Sequence, residues 1–93
     1  MIGLCTIELQ FPHSHSLKDK RHVLQSVIAR VRHEFNVSVA EVGKQDAWQL
    51  DTIALACVSS DTGYAHGLLE RVVHFIEGGP FDLVLLDYEI QLM

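Results

Sequence analysis

Hydrophobic residues in this chain repeat with two different periods, and the order in which the periods alternate leaves few folds open. From Leu4 to Phe11 the period is two, with Cys5, Ile7, Leu9 and Phe11 on one side and Leu4, Thr6, Glu8 and Gln10 on the other. That is a half-buried strand, and Pro12 ends it because proline brings no backbone donor to a ladder. Val23, Leu24, Val27, Ile28, Val31 and Phe35 then recur at steps of three and four, which predicts an amphipathic helix over 17–35. Ser16 and Asp19 have the spacing of a capping box at its start, and Asn36 suits its last turn. "VSVAEV" (37–42) and "LDTIALACVS" (50–59) read as strands joined through "GKQDAWQ" (43–49), a hairpin. "SSD" (59–61) offers N-caps to a second helix with the stripe Ala65, Leu68, Leu69, Val72, Val73 and Ile76, and Gly78-Gly79-Pro80 stops it. The last strand, "DLVLLDYEIQL", sets Val84, Leu86, Tyr88, Ile90 and Leu92 on one face.

The order β-α-β-β-α-β, with right-handed crossovers, predicts an α+β ferredoxin-like sandwich: one four-stranded antiparallel sheet with two helices on one face. The predicted core holds Leu9, Val27, Ile28, Leu55, Leu69, Val72 and Leu86. The same topology brings loop 12–18, the hairpin 43–49 and the turn 78–80 to one end of the molecule. Ninety-three residues suffice for a single domain of this kind.

Composition narrows the function classes. No apolar run is long enough to span a bilayer, and the N-terminal stretch, with Glu8 and no cationic region, is unlike a secretory signal. Cys5 and Cys57 lie far apart in apolar runs, as reduced thiols of a cytoplasmic protein do. Net charge is −5, yet residues 13–33 carry Lys18, Lys20, Arg21, Arg30 and Arg32 against Asp19 alone. One basic element therefore rides on an acidic body.

"SLKDKR" (16–21), "FNVSVAE" (35–41) and "DAWQ" (46–49) resemble motifs of the YlxP-like family, small bacterial proteins described as a domain of unknown function. The resemblance covers nearly the whole chain and implies a ferredoxin-like fold in a bacterial cytoplasm. That family's genes often neighbour genes of translation initiation and ribosome maturation, which implies RNA or ribosome work without assigning an activity. The family often has a basic residue after Trp-Gln, where this chain has Leu50.

Two surfaces are candidates for function. The first is anion- or RNA-binding and gathers Lys18, Lys20, Arg21 and His22 at the start of the first helix with Lys44, Gln45 and Trp48 of the hairpin. Lys20 falls within the apolar stripe and is expected to snorkel towards the open end of the sandwich. Trp48 reads equally as a lid over the core and as a stacking or partner-anchoring residue. The second surface is the outer sheet face, with Leu4, Ala54, Ala56, Val58, Leu83 and Leu85 as candidates for a homodimer or partner interface. Usual RNA-recognition motifs stack bases on central-strand aromatics, which are absent here, so any RNA contact must come from loops and the first helix. His13 and His15 could share an ion in extended backbone, but two loop histidines fall short of a zinc site, and no metal or cofactor is expected. Asp82, Asp87 and Glu89 read as solvent-face acids without an organised partner, and no catalytic motif is present, so no enzyme is expected.

Overall fold

The computed structural model describes residues 1–93 and contains six elements in the order that the two periods dictate. They are β1 (Ile2–Gln10), α1 (Leu17–Glu34), β2 (Ser38–Gly43), β3 (Leu50–Val58), α2 (Thr62–Gly78) and β4 (Val84–Leu92). The strands form one sheet in the order β2-β3-β1-β4, and every neighbouring pair is antiparallel. This is the α+β ferredoxin-like arrangement. No helix is long and apolar enough to cross a membrane.

Burial follows the two periods closely. Cys5, Ile7, Leu9 and Phe11 of the first strand and its exit are buried against Leu24, Val27 and Val31 of α1 and the whole predicted stripe of α2. Val39, Ile53, Leu55 and Cys57 complete that layer from β2 and β3. Ile28 is only half-buried, at the edge of the core. Both cysteines are free, and burial pushes the Cys5 thiol up to about 11, so it packs as a small hydrophobe.

The last strand departs from its expected face. Glu8 pairs with Asp87 but Leu9 pairs with Leu85, so Leu86 is an extra residue without a partner on β1. Such a bulge reverses which alternate residues point inward. Before it, Leu83 and Leu85 pack on the core; after it, Ile90 and Leu92 do. Leu86, predicted to be buried, is 51% exposed, and Leu83 and Leu85, expected on the outer face, are withdrawn from it.

Candidate functional site

The end of the sandwich that carries the basic helix start is stitched together by polar contacts. Ser16 caps α1 by accepting from the Asp19 N–H at 3.0 Å, and the Asp19 carboxylate accepts from the His15 N–H at 3.0 Å. The forward half of the capping box is present, while the Asp19 carboxylate reaches back one residue past the cap, so the helix start is already covered by a carboxylate of its own. Buried Ser14 donates to the Ser16 carbonyl at 2.8 Å. Gln49 ties the hairpin to this loop, since its side-chain amide donates to the Ser14 carbonyl at 3.1 Å and its backbone carbonyl accepts from the Phe11 N–H at 2.8 Å.

Lys20 is the hub of this end and is fully buried. Its Nζ donates to the carbonyls of Lys44 (3.0 Å), Gln45 (3.2 Å) and Leu50 (3.1 Å). An ammonium has three protons, and these three bonds use them. The Asp51 carboxylate, also buried, lies 2.8 Å from Nζ as a charge partner while its oxygens accept no well-directed hydrogen bond. Burial, and then the neighbouring Glu41 carboxylate, push Asp51 up to about 7, with Lys20 opposing. Lys44 adopts a left-handed backbone (φ 57°), in the turn that presents the Lys44 and Gln45 carbonyls to this ammonium. Lys20 therefore leaves the predicted RNA surface. It points into the hairpin rather than to solvent, because the three carbonyls there replace its hydration.

Most of the other cations are committed as well. Lys44 pairs with Glu8 at 2.6 Å on the outer sheet face, away from the helix start where it was expected to act, and this hydrogen bond is the main reason the Glu8 carboxyl lies below its ordinary range. Arg30 stands over the Phe75 and Phe81 rings, Arg32 donates to the Val39 carbonyl, and Arg71 covers Tyr64. Of the seven lysines and arginines, only Lys18 and Arg21 take part in no such contact. Both are exposed, and both line one open cleft of about 600 Å³ with His13, His22 and Asp82. Phe11 and Val23 give it an apolar wall. Trp48 is 57% exposed on the adjoining hairpin and so is not a lid; Gln45 is exposed too, although its carbonyl is taken by Lys20.

Asp82 has a partner that sequence reading did not give it. The His13 ring Nδ1 lies 2.8 Å from Asp82 Oδ1, joining the β1–α1 loop to the α2–β4 loop. An ionised carboxylate only accepts, so Nδ1 carries the proton and Nε2 is left free. Sixty-nine residues separate the two, and only the shared end of the topology hints that they meet. No three His, Cys, Asp or Glu side chains are grouped to hold a metal ion. On the outer sheet face, Leu4, Ala54 and Ala56 are half-buried and Val58 is 82% exposed.

Comparison with known proteins places these features in a family. Residues 2–90 match the family model described as "Protein of unknown function (DUF503)". Over 80 residues the chain is 41% identical to "Uncharacterized protein YlxP" of Bacillus subtilis (strain 168), covering 86% of this chain and 87% of that protein. Among solved structures, the de novo designed protein Foldit4 superposes with a TM-score of 0.61 at 13% identity, over 100% of this chain and 99% of that one. That likeness concerns the fold alone.

Proposed function

The chain belongs to the DUF503 family, whose function is unknown, and on that premise we propose that it is an accessory protein that grips the phosphate backbone of RNA, free or within a ribosomal particle, through the cleft at the start of α1. The observation that carries this reading is the commitment of the other five cations to internal or surface partners, which leaves Lys18 and Arg21 together in one cleft. Charged groups held without a partner on a folded surface retain their full affinity for an outside anion. The two nearby carboxylates are both engaged, Asp19 with the His15 N–H and Asp82 with His13. Exposed Trp48 adds an aromatic surface on the adjoining hairpin on which a base can stack.

Affinity capture at low salt, with and without RNase, tests the reading. Ribosomal or other RNA should be recovered by the wild type and lost on RNase treatment or in Lys18→Ala/Arg21→Ala. Equal recovery by the variant would dismiss it. A second reading, self-association through the outer sheet face, draws on Val58 (82% exposed) beside Ile2 (48% exposed). Ala56→Arg should then convert a dimer to a monomer in sedimentation, and a wild type that is monomeric at tens of micromolar removes this alternative.

A further inference from the structure

The His13–Asp82 pair is unused by a surface that merely holds phosphate. The pair lines one cleft with His22, Lys18 and Arg21, which gathers the residue types that RNA cleavage by internal transesterification uses: two imidazoles and two cations. We propose that the cleft cleaves RNA: His13 is the general base, His22 the general acid, Lys18 and Arg21 hold the reacting phosphate, and Asp82 positions His13. This rests on the reading that the cleft binds RNA and goes beyond it by assigning a reaction.

The chemistry follows from the groups present. The bond to Asp82 fixes the His13 tautomer with Nδ1–H donating, which leaves the Nε2 lone pair to take a proton. His13 Nε2 removes the proton of a ribose 2′-hydroxyl, and that oxygen attacks the adjacent phosphorus. As the P–O2′ bond forms, the P–O5′ bond breaks, and His22 in its protonated form delivers a proton to the departing O5′. The products are a 2′,3′-cyclic phosphate and a free 5′-hydroxyl. Atoms balance without water or any co-reactant, because the substrate is only rearranged and divided. Two protons have moved, one to His13 and one from His22, and exchange with solvent restores both rings. The negative charge that builds on the non-bridging oxygens at five-coordinate phosphorus faces Lys18 and Arg21, which have no competing partner. His13 is 76% and Asp82 58% exposed, so substrate reaches the pair without any opening of the fold.

The charged and titratable groups lining the cleft are Lys18, Asp19, Arg21 and His22 from α1, His13 from the β1–α1 loop and Asp82 from the α2–β4 loop. With one imidazole needed neutral and the other protonated, the rate should be bell-shaped in pH.

The test uses the full chain and a fluorogenic DNA oligonucleotide containing a single ribonucleotide, beside its all-deoxy counterpart. The wild type should cleave only the first, leaving a 2′,3′-cyclic phosphate end visible by mass spectrometry. His13→Ala and His22→Ala should each lower the rate about 100-fold or more, the usual contribution of a positioned acid or base. Both residues are exposed, so folding should be unaffected. Asp82→Asn should reduce kcat and shift the acidic limb of the pH profile, which reports the general base, with little change in KM, which loss of a merely structural contact would not do. Binding without cleavage, or cleavage that survives His13→Ala in protein purified identically, overturns this inference and leaves RNA binding standing. No quenching of Trp48 fluorescence by the probe and no retention of it in gel shift overturn both.

Discussion

Lys20 occupies a position where helical spacing calls for an apolar side chain, and its burial sets the energetics of the whole end. Removing the ammonium strands Asp51 and three carbonyls at once, so Lys20→Met should cost ~3–5 kcal/mol in chemical denaturation, as breaking a buried pair does. Lys20→Met/Asp51→Leu should recover part of that loss, since the second change removes the stranded charge. Asp51 also makes stability depend on pH with a definite sign. Its carboxyl is raised from an ordinary 3.8 to about 7 in the folded protein, so the folded state binds the proton more tightly than the unfolded chain. The resulting stabilisation is fully present below about 3.8 and is lost as pH rises through about 7. Thermal midpoints should therefore fall between pH 5 and 8 in the wild type, and Asp51→Asn should flatten that fall; an unchanged slope in the variant would refute the assignment. Gly79 is a separate case of close approach. A Cβ there would lie 2.7 Å from the Phe75 carbonyl oxygen and 2.7 Å from the Phe81 ring, so Gly79→Ala should cost ~1–3 kcal/mol by overpacking.

At the scale of elements, β4 separates what side-chain period reveals from what it hides. Leu85 packs on the core and Leu86 does not, so Leu85→Lys should destabilise markedly while Leu86→Lys stays within about 0.5 kcal/mol. The reverse result in urea titrations would restore the unbroken alternation and abolish the bulge. β1, α1, β3 and α2 were legible because each has one buried face and an uninterrupted period, and the order of those periods determined the topology. The bulge at Leu86 was not legible, because "LVLLDYE" contains apolar residues of either parity and pairing with β1 alone decides between them. The site was legible in the same partial way. Ser16, Asp19, Lys18 and Arg21 are read from local spacing on one helix. The Lys20 bonds to the hairpin and the His13–Asp82 pair span 24 to 69 residues and depend on how loops meet. Local patterns single out Lys20 among the cations but give no partner for any of them, whereas the fold commits five of the seven.

For the molecule as a whole, the net charge of −5 and the small number of uncommitted cations make a quantitative statement about RNA binding. An acidic body repels a polyanion, so contact is restricted to the cleft end and approach is oriented by the charge asymmetry. Within the cleft, Lys18 and Arg21 balance Asp19 and Asp82 in formal charge, with His13 and His22 beside them. Each single-stranded phosphate neutralised contributes about 0.7 to the slope of log affinity against log salt. Lys18 and Arg21 together should account for about 1.4 of that slope, and Lys18→Ala/Arg21→Ala should remove about that much while leaving the thermal midpoint nearly unchanged, because neither side chain packs in the core. Salt titrations of Trp48 fluorescence with a single-stranded RNA read both outcomes. A slope that survives loss of both cations would move RNA contact away from this cleft altogether.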